Sequence, residues 1–312
     1  MNLRIIQKRN IWLSISLVLF IIMSTGLIVF GLRLGIDFTG GSLLEVKYLT
    51  ARPSVGEVYD KLNGLNLGSL TVLPVGSDSL ILRFQDSSEG KHQEVLDNLR
   101  TMLKAGETDK PDNSANDKKI EEVRYESVGP SIGEELKRKA FYAIFWVLVG
   151  IVIYISLAFR KVSRPIASWK YGVSALIAMV HDTVITLGFF AFLGKFYGVE
   201  INTPFVAAVL TVIGYSVHDT IVVFDRIREN LPKSDEDFEG TVNSSLNQTL
   251  WRSLNTSLTT LLTLTAIIIF GGTSIRSFAL ALTVGIFFGT YSSIFLASPL
   301  LVYWEKYKSR NL

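Results

Sequence analysis

Two histidine–aspartate pairs, His181–Asp182 and His218–Asp219, sit inside apolar runs, Tyr171–Gly194 and Ile201–Phe224, whose other residues are all uncharged. An ionisable group in the middle of a bilayer costs about 2.5–3.5 kcal/mol on insertion scales, so such groups mark ion paths or binding sites. A third apolar run begins just after Arg252. Thr256, Thr259, Thr260 and Thr263 follow that arginine at i+4, i+7, i+8 and i+11, which places a cation and four hydroxyls on one helical face. The chemistry on offer is reversible protonation of a carboxylate, with Asp219, Asp182 and Arg252 as the coupling groups and His218, His181, Thr256 and Thr260 in support.

Other readings of the same residues stay open. Either aspartate can be a structural hydrogen bond between helices. Arg252 can snorkel to the headgroups while the threonines bond back to their own helix. A metal ion fits poorly, because neighbouring helical residues point about 100° apart and cannot both face one ion. The tetrapeptide Val-His-Asp-Thr recurs at 180–183 and 217–220, but on antiparallel spans with different flanks, which reads as shared local chemistry. Asp225, Arg226, Arg228 and Glu229 form a dense turn of the kind found at a solvated helix end.

The elements that must hold these groups are membrane spans. The 312 residues are 48% hydrophobic and 19% charged, too apolar for an ordinary soluble globule. Six runs reach the roughly 20 apolar residues needed to cross a bilayer: Ile11–Leu32, Ala140–Phe159, Tyr171–Gly194, Ile201–Phe224, Ser253–Ile275 and Ser277–Trp304. The first is too long for a signal-peptide core and no small-residue cleavage site follows, which predicts a retained span. Fourteen Lys and Arg flank the spans on the side of the N-terminus, and only Lys195 and Arg276 occupy the two short loops opposite. By the positive-inside rule both termini are cytoplasmic. Lys137, Arg138 and Lys139 stand on the other side, at the end of a long domain, where the rule weakens. Asp182 is about 16 Å along its helix, and Asp219 is five residues before the cytoplasmic end of its run, so the two share a similar depth.

Residues 33–139 break the apolar pattern, holding 15 of the 31 basic and 18 of the 28 acidic residues. Strands are predicted at Ser42–Leu49, Ser69–Leu73, Ser79–Gln85 and Ile120–Ser127, with helices at Ser54–Asn63 and Glu89–Lys104 and a flexible loop at Lys110–Lys119. The order βαββαβ predicts a ferredoxin-like domain outside the membrane, read as a binding or mechanical module. Its His92 is expected to be a solvated helix residue. The predicted organisation is a cytoplasmic N-terminus (1–10), a span (11–32), this domain (33–139), a five-helix transmembrane bundle (140–304) and a cytoplasmic C-terminus (305–312). The chain has no cysteine, no phosphate loop and no metal-ligand cluster, so neither a cofactor nor a metal is expected. The net charge of +3 lies in short clusters beside the spans, which excludes a nucleic-acid partner and leaves membrane lipid.

Several segments resemble one family. Gly35-Ile36-Asp37-Phe38-Thr39-Gly40-Gly41 after the first span and Ser127-Val128-Gly129-Pro130-Ser131-Ile132-Gly133 before the second resemble the DFTGG entry and VGPxxG exit motifs of the SecD/SecF protein-export family. Ala178–Asp182, Gly214–Asn230 and Gln248–Arg252 with Thr256-Ser257 match its span motifs in order. One departure is His218, where the family commonly has Asn, and a neutral His can take a proton near physiological pH. The resemblance implies a non-enzymatic subunit that joins a SecD-type subunit in a twelve-span plasma-membrane assembly similar to proton-driven resistance–nodulation–division transporters. It further implies that proton motive force aids passage of unfolded polypeptides through the SecYEG translocon. By the same carry-over Asp219 is the protonated carboxylate, Arg252 its partner, Asp182 a supporting group, and the motif glycines shape the junctions.

Two rivals use the same residues. A proton-coupled small-molecule or lipid transporter of the resistance–nodulation–division type would need two large outer domains, and this chain has one. An intramembrane aspartyl protease carries Gly-x-Gly-Asp, whereas Ser216-Val217-His218 precedes Asp219 here.

Overall fold

A computed structural model describes residues 3–104, 119–158 and 167–310; most of the predicted loop Lys110–Lys119 and the predicted end of the second span at Phe159 lie outside the described residues. In chain order the elements are α1 (Arg9–Phe30), α2 (Ile36–Thr39), β1 (Gly41–Tyr48), α3 (Val55–Leu62), β2 (Thr71–Val75), β3 (Ser79–Phe84), α4 (Glu89–Lys104), β4 (Ile120–Val128), α5 (Pro130–Ala158), α6 (Ser168–Tyr197), α7 (Thr203–Asn230), α8 (Phe238–Phe270), α9 (Thr273–Ser292) and α10 (Ser298–Arg310). They form two compact units, Leu34–Lys139 and the remainder.

In the smaller unit the strands pair antiparallel in the order β2-β3-β1-β4. That is the split βαβ arrangement which the order βαββαβ predicts. Leu44, Val46 and Tyr48 of β1 and Leu80, Leu82 and Phe84 of β3 alternate inward, and Val58, Leu62, Val95, Leu96 and Leu99 of the two helices close over them. Ser54 caps α3: its hydroxyl accepts from the Glu57 N–H while Glu57 accepts from the Ser54 N–H. Burial pushes the Tyr48 hydroxyl up to about 12. His92 is a correction to the sequence reading. It is 5% exposed, its ring stacks on Tyr125 at 3.7 Å, and Glu89 and Glu122 take its two nitrogens at 2.9 and 3.2 Å. The apolar spacing of α4 placed it near the edge of the buried face, and the stack with β4 draws it under.

The entry and exit segments of this unit lie on each other. Gly40 and Gly41 adopt φ of +73° and +116°, open to glycine and strained for other residues. A Cβ on Gly41 would stand 2.6 Å from the Phe84 carbonyl, one on Gly40 2.8 Å from Pro130 Cα, and one on Gly133 3.0 Å from the Gly40 nitrogen. Gly129, by contrast, has open space around it and an ordinary φ, so packing does not explain its glycine.

Among the described residues six helices, of 25 to 33 residues, are long and apolar enough to cross a membrane. The first span packs on the third; the third, fourth and sixth pack on one another; the fifth packs on the fourth and sixth. Two helices start ten or more residues before their apolar runs. The second begins at Pro130, ahead of Lys137–Lys139, and the fifth at Phe238, where Asn243 and Asn247 accept the backbone N–H groups of Leu3, Ile5 and Ile6. The sixth span is interrupted at Ser293–Ala297 by a π turn between α9 and α10. Gly285 and Gly289 bring α9 onto α7, since a Cβ on Gly285 would lie 2.2 Å from Val212 and one on Gly289 3.3 Å from Ser216.

Candidate proton-coupling site

Asp182 stands near the middle of α6 and is fully buried. Its Oδ2 accepts from Ser216 Oγ of α7 and Ser292 Oγ of α9, each at 2.6 Å, and His181 Nδ1 lies 2.9 Å from its Oδ1. Asp219, about three turns from the C-terminal end of α7, is 8% exposed. Ser253 Oγ of α8 donates to its Oδ1 at 2.7 Å and Ser293 Oγ of the π turn donates to its Oδ2 at 2.6 Å. A buried carboxylate must have its acceptor capacity met. Here neutral hydroxyls from neighbouring spans meet it, so each aspartate is a tie among three helices.

The π turn sets this geometry. Ser292 and Ser293 are consecutive, yet one reaches Asp182 and the other Asp219. An i→i+5 turn widens the helix and turns successive side chains through a smaller angle than an α-helix does, a device frequent at functional sites. The close approach of Gly289 to Ser216 and Asp182 lets α9 come within reach, its hypothetical Cβ being only 3.8 Å from Asp182 Oδ2. Beside this pair, Ser257 of α8 and Thr290 of α9 share a 2.5 Å hydrogen bond, and Tyr215 OH lies 3.2 Å from Ser257.

The residues singled out in the sequence separate into two groups. Asp182, Asp219 and His181 are buried among the spans. Arg252 is exposed, and among the described residues no ion pair joins it to Asp219; its neighbour Ser253 occupies that place. Thr256, Thr259 and Thr263 are exposed and Thr260 is half-buried, and all four bond back to carbonyls one turn earlier on their own helix. His218 is exposed, and Gly214 has no atom near a hypothetical Cβ. Asp37 lies in α2, between buried Ile36 and Phe38. The serines that bind the carboxylates were missed. Their signal was only that they are polar within runs free of charge, and serine is common enough in spans for that to be weak.

Residues 109–307 match the family model described as "Protein export membrane protein SecD/SecF, C-terminal", and residues 25–48 match "SecD/SecF GG Motif". The chain belongs to the SecF family. The protein translocase subunit SecF of Thermobaculum terrenum is 43% identical over 309 residues, covering 96% of this chain and 93% of that one. The SecF of Anaerolinea thermophila is 39% identical, covering 99% and 96%. The crystal structure of SecDF, a translocon-associated membrane protein from Thermus thermophilus, superposes with a TM-score of 0.79 at 32% identity. It covers 98% of this chain, which spans only 39% of that longer one. SecF membership fits the paired glycines: the matched motif region contains Gly40 and Gly41, whose positive φ and close neighbours disfavour any side chain. It also identifies the protein as a translocase subunit of the membrane, with transport and not covalent catalysis as its task.

Proposed function

We propose that this chain joins a SecD-type subunit in the plasma membrane and uses the proton motive force to aid late translocation of unfolded polypeptides at the SecYEG channel. Both termini are cytoplasmic and residues 33–139 lie outside, a reading supported by the fourteen-to-two distribution of basic residues. The observation that carries the proposal is Asp219, 8% exposed and tied by hydroxyls to two other spans, with no cation in contact among the described residues.

An ionised Asp219 accepts from both serines. Protonation converts one of its oxygens into a donor, so one serine bond must break or reverse, and the grip among the fourth, fifth and sixth spans loosens. Asp182 supports the same helices from the third span. Arg252 is one residue from Ser253, so a turn of the fifth helix by about 100° exchanges the serine for the guanidinium opposite Asp219. Each elementary charge moved across the membrane supplies about 2.3 kcal/mol per 100 mV, enough over several steps to drive a two-state change. The outer domain follows through its entry and exit segments, which the stacking of Gly40, Gly133 and Pro130 keeps together.

The test is export in inverted membrane vesicles with and without the complex, with the gradient intact or collapsed by a protonophore. The expected result is acceleration of late translocation that needs both the complex and the gradient. A gradient effect of equal size in vesicles lacking this chain would contradict the proposal.

A further inference from the structure

The first span, the third span and the π-turn region of the sixth enclose a crevice of about 570 Å³. Its walls are apolar, with Leu17, Phe20, Ile177 and Leu296 prominent, and its two polar residues are Ser16 and His181. Ser16 donates to Tyr291 OH at 3.2 Å. His181 is only 4% exposed; its ring borders this crevice, and its Nε2 is buried without a hydrogen-bond partner among the described residues. An orphaned buried nitrogen is costly, and one kept beside a cavity calls for a role.

We infer that His181 is the proton relay between this crevice and Asp182. Asp182 itself is sealed: two serine hydroxyls cover Oδ2 and the imidazole covers Oδ1. A proton from the crevice therefore meets the ring first. Opposite a carboxylate, Nδ1 carries the ring hydrogen and the unpartnered Nε2 keeps a free lone pair, which a proton reaches when the crevice beside the ring fills. A hydronium ion in the crevice gives its proton to Nε2, and the Nδ1 proton passes to Asp182 Oδ1. Water, a neutral imidazole protonated on Nε2 and a carboxylic acid result, and discharge runs the same steps backward. The spans packed on the ring present Phe20, stacked at 6.3 Å and 10°, and the apolar Leu296 and Leu300 of the sixth span, so among the described residues Asp182 is the one ionisable group bonded to it. Apolar walls wet poorly, which confines proton entry to moments when the crevice fills and limits leakage. The relay rests on the proton-coupled reading above and adds a second, independently loaded carboxylate to it.

The test uses the full complex in inverted vesicles. His181→Ala is expected to lower the gradient-dependent part of export about 100-fold, the low end for a positioned proton-transfer group. Added imidazole, which fits the crevice, should restore it, and pyrrole, equal in shape but without a basic nitrogen, should not. Undiminished export in His181→Ala, or equal rescue by pyrrole, would overturn the relay and leave only a packing role. A second arm leaves the histidine in place. The chain has no cysteine, so Ile177→Cys, at a wall position 40% exposed, offers a single thiol. A charged methanethiosulfonate should modify it in energised vesicles and suppress gradient-dependent export; failure to react, or reaction without effect, counts against the relay. Asp219→Asn run in parallel separates the two claims: export that still follows the gradient there sinks the proton-coupled reading itself, whereas an inactive Asp219→Asn beside a fully active His181→Ala sinks only the relay.

Discussion

Replacing Ser293 by alanine removes one hydroxyl and little volume. Asp219 Oδ2 loses its 2.6 Å donor, and among the described residues Ser253 on Oδ1 is then the one side chain still bonded to this carboxylate. A hydrogen bond to a charged group contributes about 1.5–3 kcal/mol, which corresponds to a roughly 10- to 150-fold change in the balance between tied and released helices. Ser292→Ala is the matched control one residue away: Asp182 keeps Ser216 and His181, so two of its three partners survive. Both variants should insert and assemble, and gradient-dependent export in inverted vesicles should fall in the order Ser293→Ala below Ser292→Ala below the unaltered chain. Wild-type export by Ser293→Ala, or a worse defect in Ser292→Ala, would refute the idea that hydroxyl ties on Asp219 hold the coupled state.

Gly285→Val should lower the melting temperature of the detergent-solubilised complex by an amount equivalent to about 1–3 kcal/mol, because its side chain would enter the space of Val212, and Val212→Ala should recover part of the loss. Gly41→Ala should leave the spans inserted but make residues 34–139 sensitive to added protease, since both its φ and the Phe84 carbonyl exclude a methyl group. Ser54→Ala should destabilise the domain by about 1 kcal/mol in a denaturant titration. The backbone N–H and then the hydroxyl of Ser54 hold the Glu57 carboxyl below its ordinary value. That contribution is present above the unfolded carboxyl's pKa and fades as pH falls through the lower folded one, so the Ser54→Ala deficit should shrink in acid. Cysteines at Ser87 and Ser234 should be labelled from opposite sides of the membrane.

Much of the architecture was legible because it follows from periodicity. Alternation in Gly41–Tyr48 and Ser79–Phe84 fixed two strands, a serine three residues before Glu57 fixed a helix start, and long uncharged runs fixed the spans. The carboxylates at 182 and 219 were legible too, because burial of a charge among apolar residues is conspicuous. The faces of the helices were not. Arg252 and Ser253 differ by one position, about 100° of rotation, and that step separates an exposed side chain from one against Asp219. The threonine stripe after Arg252 shows genuine helical spacing, but spacing alone does not say which side the neighbours occupy. The π turn is invisible for a related reason: it is set by how the sixth span meets the third and fourth, and an Ala-, Leu- and Ser-containing stretch reads as ordinary helix. His92 was misplaced because its burial depends on Tyr125, 33 positions away in sequence, across the sheet.

The central claim is that Asp219 must change its protonation state. Asp219→Asn keeps the size of the side chain and its capacity to accept from Ser253, while fixing the neutral form. Measured in inverted vesicles, the Asp219→Asn complex should contain its SecD-type partner at normal level and translocate at one rate whether the proton gradient is present or collapsed. A normally assembled Asp219→Asn complex that still accelerates export fully when the gradient is restored would contradict the account and make this carboxylate a structural tie alone.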